Sequence, residues 1–175
     1  MAFAQRSNIS RSTWTLGLTP DFRPDGKPRR LISSTHTDYN AEYSPDGKRI
    51  VFHSTRSGTS EIWASDANGE HALPLTRLKA PITGSPHWSP DGKWIVFDSN
   101  SGGQFNVYKM DSSGGNPRQL TFGHGVDGAP SWSHDGRSIY LVSDRTGGYQ
   151  VWKIDADGGN PRQITRSGGY LALEA

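Results

Sequence analysis

The hexapeptide Tyr43-Ser44-Pro45-Asp46-Gly47-Lys48 decides the fold, because close copies of it occur twice more along the chain. The copies are Trp88-Ser89-Pro90-Asp91-Gly92-Lys93 and Trp132-Ser133-His134-Asp135-Gly136-Arg137, at successive offsets of 45 and 44 residues. A fixed period of this length is the signature of a repeat architecture, in which each repeat is one supersecondary unit. The chain is therefore predicted to be a repeat protein.

Each copy contains a turn sequence between two segments that favour β-strands. In Ser-Pro-Asp-Gly, proline presets the φ angle of the second turn residue, aspartate bonds back to the chain, and glycine accepts a positive φ angle. An aromatic residue precedes each turn, and an apolar run follows it: Ile50-Val51-Phe52, Ile95-Val96-Phe97 or Ile139-Tyr140-Leu141-Val142. Each turn is therefore predicted to join the two strands of a β-hairpin.

Two further landmarks keep the same spacing and complete each repeat. The first is an aromatic strand centred on Ile62-Trp63, Val107-Tyr108 and Val151-Trp152, and the second is a closing segment at Leu75-Thr76, Leu120-Thr121 and Ile164-Thr165. The apolar runs are hydrophobic at consecutive positions, so both faces of that strand are expected to be buried. Stacking between copies of itself buries both faces of a sheet, as in a β-propeller. The predicted fold class is therefore all-β, with propeller blades that are four-stranded antiparallel meanders.

The repeat also predicts where the strands and the blades lie. Strands are expected near residues 38–44, 49–54, 60–66 and 73–77, and again 45 and then 89 residues later. Three complete blades are predicted, with a partial blade at each end of the chain. The predicted division is a partial blade with a basic N-terminal tail at 1–34, blades at 35–78, 79–123 and 124–167, and the start of a further blade at 168–175.

These motifs resemble the Pro-Asp-Gly form of the WD-like repeat found in TolB-type propellers, over about residues 12–174. The resemblance implies an internal segment of a larger, bacterial propeller that serves as a scaffold. The same repeat occurs in propellers of prolyl-oligopeptidase-type and tricorn-type proteases and beside winged-helix regulators, so it specifies fold more than function. The third copy departs from the motif, because His134 replaces the turn proline.

Composition and charge exclude several classes of protein and partner. The chain has no cysteine, which excludes a disulfide scaffold and a thiol nucleophile. Residues 1–30 carry six basic and two acidic side chains, whereas the remainder carries 13 basic and 15 acidic ones. The repeats therefore offer no basic surface, and nucleic acid is not expected as a partner. No apolar run is long enough for a signal peptide or a membrane helix, so no membrane insertion is expected and the localisation stays open.

No motif for catalysis or cofactor binding withstands inspection. Residues 123–128 fit Gly-x-Gly-x-x-Gly, but a dinucleotide site needs that loop to open a helix, and here it links two predicted strands. Asp155-Ala156-Asp157-Gly158 lacks the twelfth-position glutamate of a calcium loop. The histidines show no metal-ligand spacing, and no Gly-x-Ser-x-Gly elbow occurs. The chain is therefore predicted not to be an enzyme and to bind no metal or cofactor.

Six residues are the candidates for a binding site. His36, Asp38, His124 and Asp127 precede first strands, near the expected mouth of the central channel, where ligands of propellers often bind. Arg56 and Arg145 occupy one repeat position in loops, where Ser101 stands in the middle repeat. Two interpretations of the arginines stay open, since each either grips an anionic partner or pairs with a nearby loop carboxylate. The aspartates likewise either face the channel or cap the loop that enters the strand.

The function expected from these features is a non-catalytic interaction module that binds a protein or peptide through its loops or channel mouth. One alternative is the gating propeller of a peptidase or lyase whose catalytic domain is absent from this chain. Another is the sensor propeller of a bacterial winged-helix regulator, and a third is an oligomer-forming structural segment. Because end blades leave apolar faces open, a homodimer that completes a ring is expected, joined through Trp14, Tyr170 and the end faces.

Overall fold

The computed structural model of the chain describes residues 13–32, 34–123 and 125–167. These residues form strands joined by turns and loops, with no helix in the described ranges. The strands are β1 (Thr13–Leu18), β2 (Pro24–Ile32), β3 (Asp38–Tyr43), β4 (Arg49–Ser54), β5 (Glu61–Asp66), β6 (Leu73–Pro74), β7 (Thr83–Trp88), β8 (Trp94–Ser99), β9 (Asn106–Asp111), β10 (Arg118–Gln119), β11 (Asp127–Trp132), β12 (Ser138–Ser143), β13 (Gln150–Asp155) and β14 (Arg162–Gln163).

The strands from β3 onward form three four-stranded antiparallel meanders: β3-β4-β5-β6, β7-β8-β9-β10 and β11-β12-β13-β14. We call these sheets blades 1, 2 and 3. They confirm the predicted fold class and the predicted strand positions. The fourth strand of blade 1 is shorter than expected. The Ile62 N–H donates to the Thr76 hydroxyl at 2.9 Å, whereas in a longer strand pair it would donate to a backbone carbonyl. The division of the chain into five segments stays a prediction.

The Ser-Pro-Asp-Gly turns adopt one geometry in the three blades. In blade 1 the Ser44 carbonyl accepts the Gly47 N–H at 2.8 Å, and Gly47 has a φ angle of 70°. The Asp46 carboxylate accepts hydrogen bonds from the Ser44 hydroxyl at 2.6 Å and from the Lys48 N–H at 3.1 Å. Both hydrogen bonds lower the pKa of Asp46, and the bond from Ser44 has the larger effect. The same bonds recur around Asp91 and Asp135, so the third turn forms without its proline.

The core lies between the blades. Val51 and Ile62 of blade 1 pack against Trp88, Ile95 and Phe97 of blade 2. The next interface repeats this arrangement, with a cluster made of Val96, Val107, Leu120, Trp132, Ile139, Leu141 and Ile154. Strands β4 and β8 are therefore buried on both faces, as their runs of apolar residues predict, whereas Tyr140 of β12 stays half-buried.

The hairpin β1–β2 occupies the place of a third and fourth strand in front of blade 1. Leu31 and Ile32 pack against Ile50, Phe52 and Trp63. The Leu31 carbonyl lies against Gly69, so a Cβ atom there would overlap with it. The carbonyls of Leu75 and Leu120 meet Gly114 and Gly158 in the same way at the following interfaces. The hairpin is thus the predicted partial blade, whereas the C-terminal one, including Tyr170, lies outside the described residues.

Three bulged strands form the inner row of the structure. Strand β7 contacts both β3 and β11, and each of the three pairs on one side only within the described sheets. The pairing register shifts within each strand, at Asn40, Ser85 and Ala129, which have positive φ angles of 52°, 49° and 47°. The described residues contain no helix, and therefore none that could cross a membrane.

Candidate functional site

Five of the six predicted site residues are described, and they belong to one end of the blades, where the inner strands begin; we call it the loop end. In blade 1 Asp38 is only 1% exposed, and its Oδ1 atom accepts a hydrogen bond from Arg56 Nη2 at 2.9 Å. Its Oδ2 atom accepts one from the Ser34 hydroxyl at 2.6 Å. The Arg56 guanidinium also lies over the rings of Phe52 and Trp63, 5.2 and 5.1 Å from their centroids. Carboxylate and aromatic rings together fix the arginine.

Blade 3 repeats this arrangement with a two-oxygen pairing. Arg145 Nη2 lies 2.8 and 2.7 Å from the two carboxylate oxygens of Asp127, which is 2% exposed. Arg145 Nε donates to the Ser143 hydroxyl at 2.9 Å, as Arg56 Nε does to Ser54 in blade 1. The guanidinium lies 4.7 Å from the ring centroid of Trp152. Asp38 and Asp127 therefore each have a counter-ion within their own blade.

Blade 2 has a neutral set of side chains at the same positions. Thr83 replaces the aspartate, and its hydroxyl lies 2.9 Å from the Ser99 hydroxyl. Ser101 replaces the arginine and donates to the Tyr108 hydroxyl at 3.1 Å. The two charges are thus both present or both replaced. Buried charges are tolerated when they are paired and hydrogen-bonded, which explains why an aspartate and an arginine occur together.

The candidates therefore divide into three groups. Asp38 and Asp127 are joined to Arg56 and Arg145, which is the carboxylate pairing that one interpretation of the arginines expected. His36 is exposed at the same end, with its Nδ1 atom 3.3 Å from the Thr35 hydroxyl. His124 lies outside the described residues. That any of the six binds a ligand stays a prediction.

Two further buried groups of the loop end support the loops from within. Glu61 accepts hydrogen bonds from the Thr76 hydroxyl at 2.6 Å, the Leu78 N–H at 3.0 Å and the Lys79 N–H at 2.8 Å. His53 is buried, with Nε2 2.6 Å from the Ser60 hydroxyl. Burial lowers the pKa of His53 to about 4, against a smaller opposite effect of the Asp38 carboxylate. Both side chains hold the loop end together.

The opposite end of the inner strands carries an open cleft that the sequence analysis did not predict; we call this the turn end. The cleft has a volume of about 520 Å³, and all three blades contribute to its walls. Its lining is mostly aromatic, imidazole and proline side chains, namely Tyr43, Pro45, His87, Trp88, Pro90, Trp132 and His134, with Glu42, Ser131 and Ser133. The aromatic residue before each turn was the feature of the sequence that could have indicated this cleft, but the repeat pattern accounted for it as a strand residue.

Glu42 fixes one wall of this cleft between blades 1 and 2. Its Oε2 atom accepts the Trp88 N–H at 2.8 Å, and its carbonyl accepts the Trp88 indole N–H at 3.3 Å. His87 Nδ1 lies 3.5 Å from the same carboxylate, and the Arg49 guanidinium lies 5.3 Å from the Trp88 ring centroid. Tyr43 stays 42% exposed at the rim. The cleft thus combines a fixed wall with an accessible aromatic ring.

The described residues contain no group of three or more His, Cys, Asp or Glu side chains arranged to hold a metal ion.

A protein-family model for the TolB beta propeller domain matches residues 75–174. That match spans more than half of the chain, and the three blades supply the corresponding fold. The chain belongs to the TolB beta propeller domain family.

Solved structures agree with this assignment to the TolB beta propeller domain family. The TolB structure from Acinetobacter baumannii matches 79% of this chain and 35% of its own, with 28% identity and a TM-score of 0.71. A putative TolB from Agrobacterium tumefaciens matches 91% of this chain and 58% of its own, with 23% identity and a TM-score of 0.72. The chain therefore spans between about a third and three fifths of these TolB structures.

Two other structures show how widely the fold is shared. A puromycin hydrolase matches 90% of this chain and 28% of its own, with 16% identity and a TM-score of 0.67. A nidogen/laminin complex matches 88% of this chain and 58% of its own, with 11% identity and a TM-score of 0.74. At these identities the likeness shows the fold alone. A search of the curated proteins found no match to the chain.

Proposed function

We propose that this chain is a non-catalytic interaction module that binds an extended peptide segment of a protein partner in the turn-end cleft. The observation that carries the proposal is the cleft itself, an open groove of about 520 Å³ lined mostly by aromatic, imidazole and proline side chains. Small-molecule and side-chain binding sites commonly have volumes of about 300–1,000 Å³, with apolar walls and a few fixed polar groups. Tyr43, Trp88 and Trp132 provide the apolar walls, while Glu42 and His87 provide the fixed polar groups.

The inner strands add a reason to expect an extended peptide. Strands β3, β7 and β11 each pair on one side only within the described sheets. Unpaired strand edges offer N–H and C=O groups to a second extended chain, and pockets for alternate side chains provide its specificity. A peptide that enters the cleft meets these edges and the aromatic rings together. The partner expected from this chemistry is a protein with an extended segment rich in apolar or aromatic residues.

The binding experiment selects ligands without assuming a sequence. A library of displayed linear peptides is selected against the chain, and the affinity of the best peptide is measured by calorimetry. Tyr43→Ala is expected to weaken binding by about tenfold or more, because truncated aromatic anchors in interfaces commonly cost over 1 kcal/mol. His87→Ala is expected to weaken it by less.

The matched control for Tyr43→Ala is Tyr149→Ala. Both tyrosines are 42% exposed, but Tyr149 lies at the loop end and outside the cleft. Its substitution is expected to leave the affinity of a selected peptide that contains no lysine within about twofold of the wild type. Equal loss of affinity from both variants, or no loss from Tyr43→Ala, contradicts the proposed location.

The non-catalytic part of the proposal has its own assay. The purified chain is expected to show no turnover of peptide, ester or glycoside substrates. Turnover that one point substitution abolishes would contradict it and favour the peptidase or lyase alternative.

Self-association is a further prediction of this proposal. Trp14, one of the residues expected at the interface, is 56% exposed on the hairpin β1–β2. Sedimentation equilibrium at micromolar concentration is expected to give twice 19.2 kDa or more. A mass of 19.2 kDa together with cooperative unfolding would contradict a ring completed by two copies.

A further inference from the structure

Asp98 is a buried carboxylate at the loop end whose surroundings differ from those of the other buried acids. It lies in β8, is 7% exposed, and accepts the Ala129 N–H of blade 3 at 2.8 Å. The Ser85 hydroxyl and the Gly84 backbone also bond to it. Burial nevertheless raises the pKa of Asp98, since these hydrogen bonds offset the loss of hydration only in part. Its carboxylate is held in place from two blades.

No cation balances this charge within the described residues. The ion pairs there join Asp38 to Arg56 and Asp127 to Arg145, among others, and none includes Asp98. The His87 imidazole acts on the Asp98 carboxyl electrostatically but forms no ion pair with it. A buried carboxylate without a counter-ion is costly, so the site gains from a cation that enters it.

A cavity lies beside this carboxylate. Its volume is about 230 Å³, below the range of about 300–1,000 Å³ for drug-sized ligands. It is lined by Asp98 with Phe105, Val126, Gly128, Ala129, Val142 and Tyr149. One acidic group among aliphatic and aromatic walls suits a short apolar stem with a cationic tip, since ring faces also attract cations.

The interface between blades 1 and 2 has different side chains at the corresponding positions. There His53 takes the position of Asp98, and Ser60 takes the position of Phe105. The Ser60 hydroxyl contacts His53 Nε2 at 2.6 Å and donates to the Thr83 carbonyl at 2.9 Å. Neutral side chains therefore bond to each other between blades 1 and 2, whereas a carboxylate lies beside a cavity between blades 2 and 3.

We propose that Asp98 and this cavity form a binding site for a primary alkylammonium group, either the side chain of a lysine or a free aliphatic amine. An ammonium fits better than a guanidinium, because bidentate pairing needs two free carboxylate oxygens and Oδ2 already accepts the Ala129 N–H. The stem of the ligand packs between Phe105 and Tyr149. This cavity lies towards the opposite end of the inner strands from the peptide cleft, and the two share no lining residue.

The test follows the backbone amides of Gly128 and Ala129 by ¹⁵N NMR while small ligands are added. The probes are n-butylammonium, Nα-acetyl-lysine methylamide and, as a neutral match, n-butanol. Butylammonium is expected to shift these amides saturably, with an affinity at least about tenfold above that of butanol, a difference of about 1.4 kcal/mol. Equal affinity of butylammonium and butanol would overturn the proposal, and this comparison needs no variant.

The variants locate the site. Asp98→Asn retains an acceptor for the Ala129 N–H and is expected to weaken butylammonium binding at least tenfold, while Tyr149→Ala weakens it severalfold. Leu73→Ala, on the exposed fourth strand of blade 1 and outside both the cavity and the turn-end cleft, is the control and leaves it unchanged. Unaltered binding to a folded Asp98→Asn variant would overturn the proposal. Saturation by the lysine derivative as well supports a partner's lysine as the ligand, and saturation by butylammonium alone supports a free amine.

Discussion

The two ends of the inner strands differ in how their polar side chains are used. At the loop end, Asp38 and Asp127 are buried and paired with Arg56 and Arg145 of their own blades. At the turn end, Glu42 holds one wall of a cleft that stays open to solvent, with Tyr43 exposed at its rim. The two ion pairs of the loop end therefore stabilise their blades, whereas the turn end offers an open cleft.

This difference shows that charge and position in the chain do not identify a binding surface by themselves. A buried ion pair contributes most through the penalty for breaking it, because the remaining charge has no water to replace its partner. An exposed aromatic ring contributes little to folding and much to an interface. The two ends are thus expected to respond in opposite ways to substitution.

The largest effect on stability is expected from Arg56→Leu. The substitution leaves the Asp38 carboxylate buried without its partner, which commonly costs about 3–5 kcal/mol. The free energy of unfolding, measured by urea denaturation, should fall by about that amount. Ser101→Ala, at the same repeat position in blade 2, is the control and should cost no more than about 1 kcal/mol. Similar losses from the two substitutions would contradict a special role for the ion pair.

The next effect is a pH dependence due to His53. Its pKa is lowered to about 4 in the folded chain from 6.5 in the unfolded one, so the unfolded state binds more protons between these values. Stability should therefore fall as the pH drops from 6.5 towards 4, by up to about 3 kcal/mol from this residue. Urea denaturation of the wild type and of His53→Gln across this range should show a shallower pH dependence in the variant.

His71 is the control for that measurement. It is exposed, and its hydrogen bond to Asp66 raises its pKa, so its effect has the opposite sign: a small stabilisation at low pH that is lost as the pH rises. His71→Gln should leave the acid-side loss of stability in place. An equal pH dependence in the wild type and His53→Gln would show that His53 does not carry it.

A smaller effect tests whether the neutral set of blade 2 can replace the ion pair. Arg145→Ser alone should destabilise blade 3, and addition of Asp127→Thr should restore about 1–2 kcal/mol, since residues in contact couple by about 0.5–3 kcal/mol. The measurement is a double-mutant cycle in urea. Additive losses would mean that Asp127 and Arg145 act independently.

The sequence predicted the blades more fully than the site. The repeated turn and apolar run placed each strand of blades 1 to 3, because turn chemistry and two-sided burial are local properties. The pairing of Asp38 with Arg56 was one of two open interpretations, since the residues lie 18 positions apart and meet only in the folded blade. The turn-end cleft could not be predicted, because it exists only where three separate inner strands come together.

The smallest effect is expected from His134→Pro. The third turn has the same hydrogen bonds as the other two, which carry Pro45 and Pro90 at this position. A compatible proline stabilises by about 0.4–1 kcal/mol, through loss of freedom in the unfolded chain. Urea denaturation should show a gain near 0.5 kcal/mol. A loss of stability would mean that the third turn differs in backbone conformation.

Hydrogen–deuterium exchange of the chain, with and without a selected peptide that contains no lysine, tests the contrast between the two ends most directly. The peptide is expected to slow exchange at residues 42–49, 86–94 and 131–138, which form the turn end in the three blades. Little change is expected at residues 34–38, 55–60 and 144–149. Slower exchange confined to these loop-end segments would contradict binding in the turn-end cleft and favour the channel-mouth aspartates and loop arginines as the binding surface.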